Sequence, residues 1–246
     1  MRSPAPMPDP IQVRSMFGRI AGRYDLLNRL LSAGIDQRWR RAAVRRAGEL
    51  GRGRVLDACC GTGDLALAFE RAGGRVVGVD FTPQMLTLAE RKRRADAGGP
   101  LFVHGDALRL PAGNDSVDLA TVAFGIRNVA DRGAALVELA RVVRPGGMAL
   151  VLEFSMPPGA VLGFVYRFYF TRILPVAGRL ISRDRGAYDY LPRTVLAWPR
   201  PDELQREFEA AGFEACGHRP LTRGIACLHW GRVPAPADSG RPPRPR

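Results

Sequence analysis

Asp57 and Asp64 bracket a glycine turn in the run Val55-Leu56-Asp57-Ala58-Cys59-Cys60-Gly61-Thr62-Gly63-Asp64. A third carboxylate, Asp80, closes the apolar run Arg75-Val76-Val77-Gly78-Val79-Asp80. A short apolar strand, a glycine turn, a helix and a second strand ending in an acid together build a cleft at the carboxyl edge of a parallel sheet. The cleft suits a ligand that carries adenosine. Gly61 and Gly63 let the backbone turn sharply and approach that ligand closely, while Asp80 stands where a carboxylate accepts hydrogen bonds from both ribose hydroxyls.

The ligand class follows from the acids. Gly61-Thr62-Gly63-Asp64-Leu65-Ala66 fits the dinucleotide pattern of glycine, glycine, then glycine or alanine, which makes an NAD-dependent dehydrogenase the first rival. Asp64, however, starts the helix where a pyrophosphate would sit and would repel it, although it suits the helix dipole when no anion binds. Asp57, ahead of the glycines, is placed to hold an ammonium group. A cationic sulfonium tolerates both acids, so S-adenosyl-L-methionine is the expected cofactor.

The surrounding elements must hold these residues in register. Leu65, Ala68, Phe69 and Ala72 form a helical stripe to dock on the sheet. Leu101-Phe102-Val103-His104-Gly105-Asp106-Ala107 reads as a third strand whose closing acid suits an adenine amino group. Val117 to Phe124 reads as the fourth strand, with its carboxyl end toward the reacting methyl. A helix carrying Leu136, Leu139, Ala140 and Val143 follows, Pro145-Gly146-Gly147 is expected to stop it, and Met148 to Phe154 is the fifth strand. Leu204, Phe208 and Ala211 mark a last helix ended by Gly212, ahead of strands near residues 214–219 and 224–230. Strand and helix alternation across residues 54–154 predicts an α/β domain with helices on both faces of a seven-stranded, mostly parallel sheet.

Several blocks carry a family resemblance. They are Met16-Phe17-Gly18-Arg19-Ile20-Ala21-Gly22-Arg23-Tyr24-Asp25, with Asn28, Leu31-Ser32 and Trp39; Phe124-Gly125-Ile126-Arg127-Asn128; Arg141 to Gly147, continuing to Glu153-Phe154-Ser155; and Ala187 to Pro192. Across roughly residues 13–232 the chain resembles the UbiE/MenG/COQ5 quinone-biosynthesis C-methyltransferases. The resemblance implies a Rossmann-like class I S-adenosylmethionine-dependent methyltransferase fold. It places Thr62, Asp80, Asp106 and Ala107 on cofactor-binding positions, beside Asp57, Gly61 and Gly63 read from the turn itself. Three positions depart from the family pattern: Ala123 stands where a serine is frequent, Asp36 where a histidine is usual, and Arg144 where a lysine is usual.

The implied reaction is C-methylation of demethylmenaquinol to menaquinol. The alternatives are the 2-methoxy-6-polyprenyl-1,4-benzoquinol of ubiquinone synthesis, or both rings. Such a reaction requires a nucleophilic ring carbon held in line with the methyl, an acceptor for a hydroquinol proton, and positive charge near the resulting phenolate. Arg127 and Asn128 are the candidates for orienting that oxygen, and Tyr24 and Asp25 for closing over the pocket. Glu153 either lines the cleft or pairs with an arginine.

Composition bounds the partners. A formal charge of +13 over 246 residues, almost entirely from arginine, is compatible with nucleic acid, an anionic membrane or coding bias. The fourth strand ends in Ala123-Phe124-Gly125-Ile126 rather than Pro-Pro-aromatic, and no RNA-binding module is appended, so nucleic acid is not expected. Residues 11–50 carry nine arginines against Asp25, Asp36 and Glu49, a net +6. Residues 156–196 form an insertion whose aromatic run Phe164 to Phe170 is interrupted by arginines, too short and too charged to span a bilayer. It reads as a substrate lid for a prenyl tail or a membrane-resting face, in a cytoplasmic protein lying peripherally on the inner membrane face. The resemblance leaves room for a homodimer. The four cysteines lack metal-site spacing and read as reduced, no metal is expected, and the three histidines read as packing residues. Proline-rich residues 1–10 and 234–246 are expected to be disordered tails around a methyltransferase domain at 11–233.

Overall fold

The structure, a computed structural model, describes residues 9–32, 34–95, 99–173 and 185–235. Its centre is a seven-stranded sheet built from β1 (Arg54–Ala58), β2 (Arg75–Asp80), β3 (Leu101–His104), β4 (Val117–Ala123), β5 (Val143–Phe154), β6 (Glu214–Leu221) and β7 (Ala226–Arg232). The strand order is β3-β2-β1-β4-β5-β7-β6. The first five strands pair in parallel, and β7 runs antiparallel to both β5 and β6. The expected mostly parallel sheet is therefore present. Its order reverses between β1 and β4, and ligands of open α/β sheets bind outside the carboxyl ends at such a reversal.

The helices are α1 (Pro10–Leu31), α2 (Ile35–Ala47), α3 (Asp64–Arg71), α4 (Pro83–Ala95), α5 (Arg132–Val142), α6 (Ala160–Phe168), α7 (Arg185–Leu196) and α8 (Pro201–Ala210). Local chemistry sets their ends. Asp131 accepts a hydrogen bond from the Ala134 N–H to start α5, and the Glu203 carboxylate accepts from the Arg200 N–H at the start of α8. One sheet face is covered through Leu136, Leu139, Leu204 and Phe208, the other through Trp39, Ala43, Leu65 and Phe69. A third cluster ties α1 to α6 and α7 through Met16, Ile20, Tyr166 and Val195.

One boundary differs from the sequence reading. Pro145-Gly146-Gly147 does not separate helix from strand; it lies inside β5, which begins at Val143 rather than Met148. Val143 pairs with Val117 and Met148 with Leu119, so Arg144–Gly147 bulge out of register between those two pairings. The helix already ends at Val142, and the proline and glycines shape the bulge instead. The expected tails fall mostly outside the described residues, as do residues 174–184 of the insertion, including Pro175. Within the described part, the segment runs through a short non-helical stretch at 156–159, α6, a single π turn at Tyr169–Ile173 and α7.

His229 sits on β7 at 1 % exposure, its Nδ1 without a hydrogen-bond partner among the described residues. Burial first, and the neighbouring His218 second, depress its pKa to about 3. The folded state thus keeps His229 neutral where the unfolded chain takes up a proton, so this contribution to stability is complete above about pH 6.5 and falls as pH drops toward 3. Denaturant titrations at pH 7 and 5 should show native protein losing about 1–2 kcal/mol more than His229→Gln. Equal losses would refute the assignment.

Candidate active site

The cavity opens at the carboxyl ends of β1 and β4. At its base the chain leaves β1 through Gly61, at φ +56°, and Gly63, at φ +81°. Both are left-handed conformations that favour glycine. At Gly63 space adds a second restriction, because a Cβ would lie 2.6 Å from the Phe102 ring. The turn is thus held against β3 and presents Gly61 and Thr62 to the cavity.

The carboxylates are arranged by depth. Asp57 is 1 % exposed, and its Oδ1 accepts from the Thr121 hydroxyl at 2.8 Å. Its Oδ2 lies buried with no hydrogen-bond partner among the described residues. Burial pushes the Asp57 carboxyl up to about 7, against the opposing effects of the Thr121 hydroxyl and the Arg40 charge. Asp80 accepts from the Gly61 N–H through Oδ2 and from the Thr82 N–H through Oδ1, both at 2.8 Å. Those bonds lock the glycine turn to the end of β2, and burial still holds the Asp80 carboxyl above its ordinary range. Asp106 caps its own turn by accepting from the Leu108 N–H. With Ala107 it lines the cavity.

Helix α1 closes one side. Tyr24 and Phe17, in edge contact at 5.8 Å between ring centroids, line the cavity. The next residue, Asp25, accepts from the Thr62 hydroxyl at 2.6 Å and pairs with Lys92 at 2.6 Å. Lys92 also donates to Thr62 at 2.9 Å and to Asp64 at 2.6 Å. The Thr62 side chain is therefore part of a polar cluster joining α1, α3 and α4.

The 3-10 turn Ile126–Asn128 after β4 brings two of the three expected catalytic residues, Arg127 and Asn128, to different walls, the third being Tyr24. Asn128 faces the cavity, and its Oδ1 accepts from the Tyr190 hydroxyl at 3.1 Å. Arg127 lines a wider groove beside the cavity, the two sharing Val129 and Ala130 as a common wall. Its Nη1 donates to the Phe124 carbonyl at 2.6 Å and to Glu153 Oε2 at 2.7 Å, leaving Nε buried without a partner among the described residues. Glu153 has no exposure and resolves as the partner of Arg127 rather than as a cleft-lining acid. Burial raises its carboxyl pKa while Arg127 opposes the rise. Trp39, Phe124 and Phe154 pack beneath this pair, with Phe124 and Phe154 centroids 4.7 Å apart.

Sequence reasoning assigned no role to Arg40, Lys92 or Tyr190. Arg40 stands four residues after Asp36, a spacing that signals an ion pair on one helix face, and the two are joined and buried here. Lys92 sits in a basic run that reads as a solvated surface. Tyr190 belonged to a recognised block without an assigned contact.

Among the described residues, no group of three or more metal-ligating side chains is present. A mostly parallel sheet in this order, with a glycine turn after β1 and an acid at the end of β2, is the class I methyltransferase fold. Phosphoethanolamine N-methyltransferase 2 of Haemonchus contortus, solved with S-adenosyl-L-methionine, shares this fold at a TM-score of 0.60 and 15 % identity, over 79 % of this chain and 52 % of that one. The ubiE/COQ5 methyltransferase family matches residues 8–233, and the chain belongs to that family. A Thermus thermophilus relative named demethylmenaquinone methyltransferase is 52 % identical, over 89 % of this chain and all of its own length. A Syntrophotalea carbinolica relative named ubiquinone/menaquinone biosynthesis C-methyltransferase UbiE is 48 % identical, over 92 % of this chain and 95 % of its own.

Proposed function

We propose that this enzyme methylates a ring carbon of demethylmenaquinol, in menaquinone biosynthesis, with S-adenosyl-L-methionine as methyl donor. The observation that carries the reading is a walled cavity of adenosine-binding design that shares Val129 and Ala130 with a second groove, Asn128 on one side and Arg127 on the other. The names of relatives at 48–52 % identity supply the ring. The residues present fit the cofactor: Asp80 and Asp106 line the cavity and would take the nucleoside, and the Asp57 Oδ2, without a partner among the described residues, would accept from an ammonium.

When bound, the sulfonium supplies an already activated methyl group, so the protein's task is positioning. Asn128, fixed by Tyr190, orients the quinol oxygen. The Arg127 guanidinium, fixed by Glu153, stabilises the phenolate that makes the adjacent ring carbon nucleophilic, and water accepts the proton. Tyr24 and Phe17 exclude bulk water from the reacting pair. The prenylated tail leaves along the groove.

Purified enzyme with labelled S-adenosylmethionine should methylate demethylmenaquinol and leave the oxidised quinone untouched. Transfer to the quinone at an equal rate would remove the phenolate mechanism, and transfer to neither naphthoquinol nor benzoquinol would remove the substrate assignment. The broader naming of the Syntrophotalea relative favours the benzoquinol as the second substrate to test.

The prenylated substrate also calls for membrane contact. None of the described helices is long and apolar enough to cross a membrane. On α6, however, Phe164 and Phe168 are 71 % and 51 % exposed, one helical turn apart, with the exposed Arg167 beside them. This lid face rests on the bilayer in our reading, at the inner surface of the cell membrane. Co-sedimentation with anionic liposomes at low salt should fall markedly in Phe164→Ser/Phe168→Ser; no binding by the native protein would contradict it.

A further inference from the structure

Besides Asp57 Oδ2, one other buried polar atom of the cavity wall has no hydrogen-bond partner among the described residues: Arg40 Nε. The two side chains are more than nine-tenths buried, Asp57 at 1 % and Arg40 at 8 % exposure. Buried charged groups keep such unmade bonds rarely, and these two residues of opposite sign line one cavity, as a ligand carrying both signs would require.

Arg40 is held from one side. Its Nη1 is engaged by Asp36 Oδ2, and Asp36 is itself fixed by the Ser32 hydroxyl at 2.9 Å and the Gln37 amide at 3.3 Å. The guanidinium carbon lies 5.5 Å from the centroid of the Phe124 ring, which also lines the cavity. One edge of the planar fork is thus used internally, and the Nε edge is left.

We propose that Arg40 binds the α-carboxylate, opposite Asp57 on the α-ammonium, of the amino-acid end of S-adenosylmethionine. The inference rests on the S-adenosylmethionine reading above and adds a residue that fixes the methionyl end, so that the sulfonium methyl is aimed at the ring. The charges agree. Asp36, Arg40 and Asp57 sum to −1 when ionised, the amino-acid zwitterion adds nothing, and the sulfonium balances the set. Asp36 acts through Arg40 as a positioning residue, which gives the departure from histidine at that position a structural role. The Asp57 carboxyl, faced by the Thr121 hydroxyl, the Ala66 amide, Arg40 and Asp80 and raised by burial, is one whose charge an added cation would favour.

Calorimetric titration with three nucleosides tests the proposal. S-adenosylhomocysteine carries both groups, its decarboxylated amine analogue lacks the carboxylate, and 5′-methylthioadenosine lacks both. On native protein, S-adenosylhomocysteine should bind about 10- to 100-fold more tightly than the decarboxylated analogue, as expected for a buried charge-assisted bond. Arg40→Gln should erase that gap and leave 5′-methylthioadenosine affinity unchanged. Equal affinity of native protein for the first two ligands overturns the assignment, and this arm does not depend on any variant folding. A uniform loss for all three in Arg40→Gln also overturns it. Native protein binding none of the three overturns the underlying cofactor reading instead.

Discussion

Arg127→Ala should lower kcat about 10³-fold while S-adenosylhomocysteine affinity stays within about threefold, because in the proposed mechanism Arg127 stabilises the quinol phenolate that must form before the methyl is attacked, and does not touch the cofactor. The same change removes the counter-charge of Glu153, which has no exposure. Stranding a buried carboxylate in this way costs about 3–5 kcal/mol. A pH dependence gives the two effects separate signatures. Without Arg127, burial raises the Glu153 pKa further above its unfolded value. The carboxyl then stays protonated in the fold, and stability is lost as pH rises through the elevated pKa. Urea midpoints of Arg127→Ala should therefore drop more at pH 8 than at pH 5. The double variant Arg127→Ala/Glu153→Gln should recover much of the stability and none of the turnover. Normal turnover in Arg127→Ala would remove Arg127 from the mechanism, and recovery of turnover in the double variant would make its role structural.

Asp80→Ala carries the second large effect, on cofactor affinity rather than chemistry. Both carboxylate oxygens hold backbone N–H groups of the flanking turns, Gly61 and Thr82, at 2.8 Å. Removing them frees the glycine turn and, in the proposed binding mode, strips the ribose acceptor at once. S-adenosylhomocysteine binding should weaken by about 10²-fold or more, in line with the loss of two charge-assisted hydrogen bonds. Thermal stability of the ligand-free protein should fall as well, since two sheltered donors lose their acceptor. Asp80→Asn keeps an acceptor oxygen for one turn and should fall between the two. An Asp80→Ala protein with native affinity would show that the ribose lies elsewhere.

The parts of the site legible in the sequence are those made within one short stretch of chain. Gly61, Gly63, Asp57 and Asp80 belong to a single strand–turn–helix–strand unit, and their spacing alone implies the cleft. Asn128 and Tyr24 were recognisable only because larger blocks around them match a family, yet the fold does bring both to the cavity. What the sequence hides is long-range pairing. Arg127 meets Glu153 across 26 positions, Asn128 meets Tyr190 across 62, and Asp25 meets Thr62 across 37. No periodicity encodes such contacts, because they depend on which strand ends share an edge. Lys92 was hidden by its neighbours in a basic run, and the start of β5 by a proline and two glycines that serve a bulge.

Lys92 is the only lysine in a chain whose other basic side chains, histidine aside, are all arginine. It sits where Asp25, Thr62 and Asp64 converge. A tetrahedral ammonium with three donors can serve three acceptors arranged around a point, which a planar guanidinium fork cannot. The pairing also makes this one primary amine, apart from the chain terminus, the target of any amine-selective reagent. While α1 is docked, the amine is engaged and three-quarters shielded at 25 % side-chain exposure. Of its three partners only Asp25 belongs to α1, so an undocked α1 would leave the amine on Thr62 and Asp64 and more open to solvent. Composition has thus left the protein with a single native chemical reporter, placed on the joint between the first helix and the methyl-donor cavity.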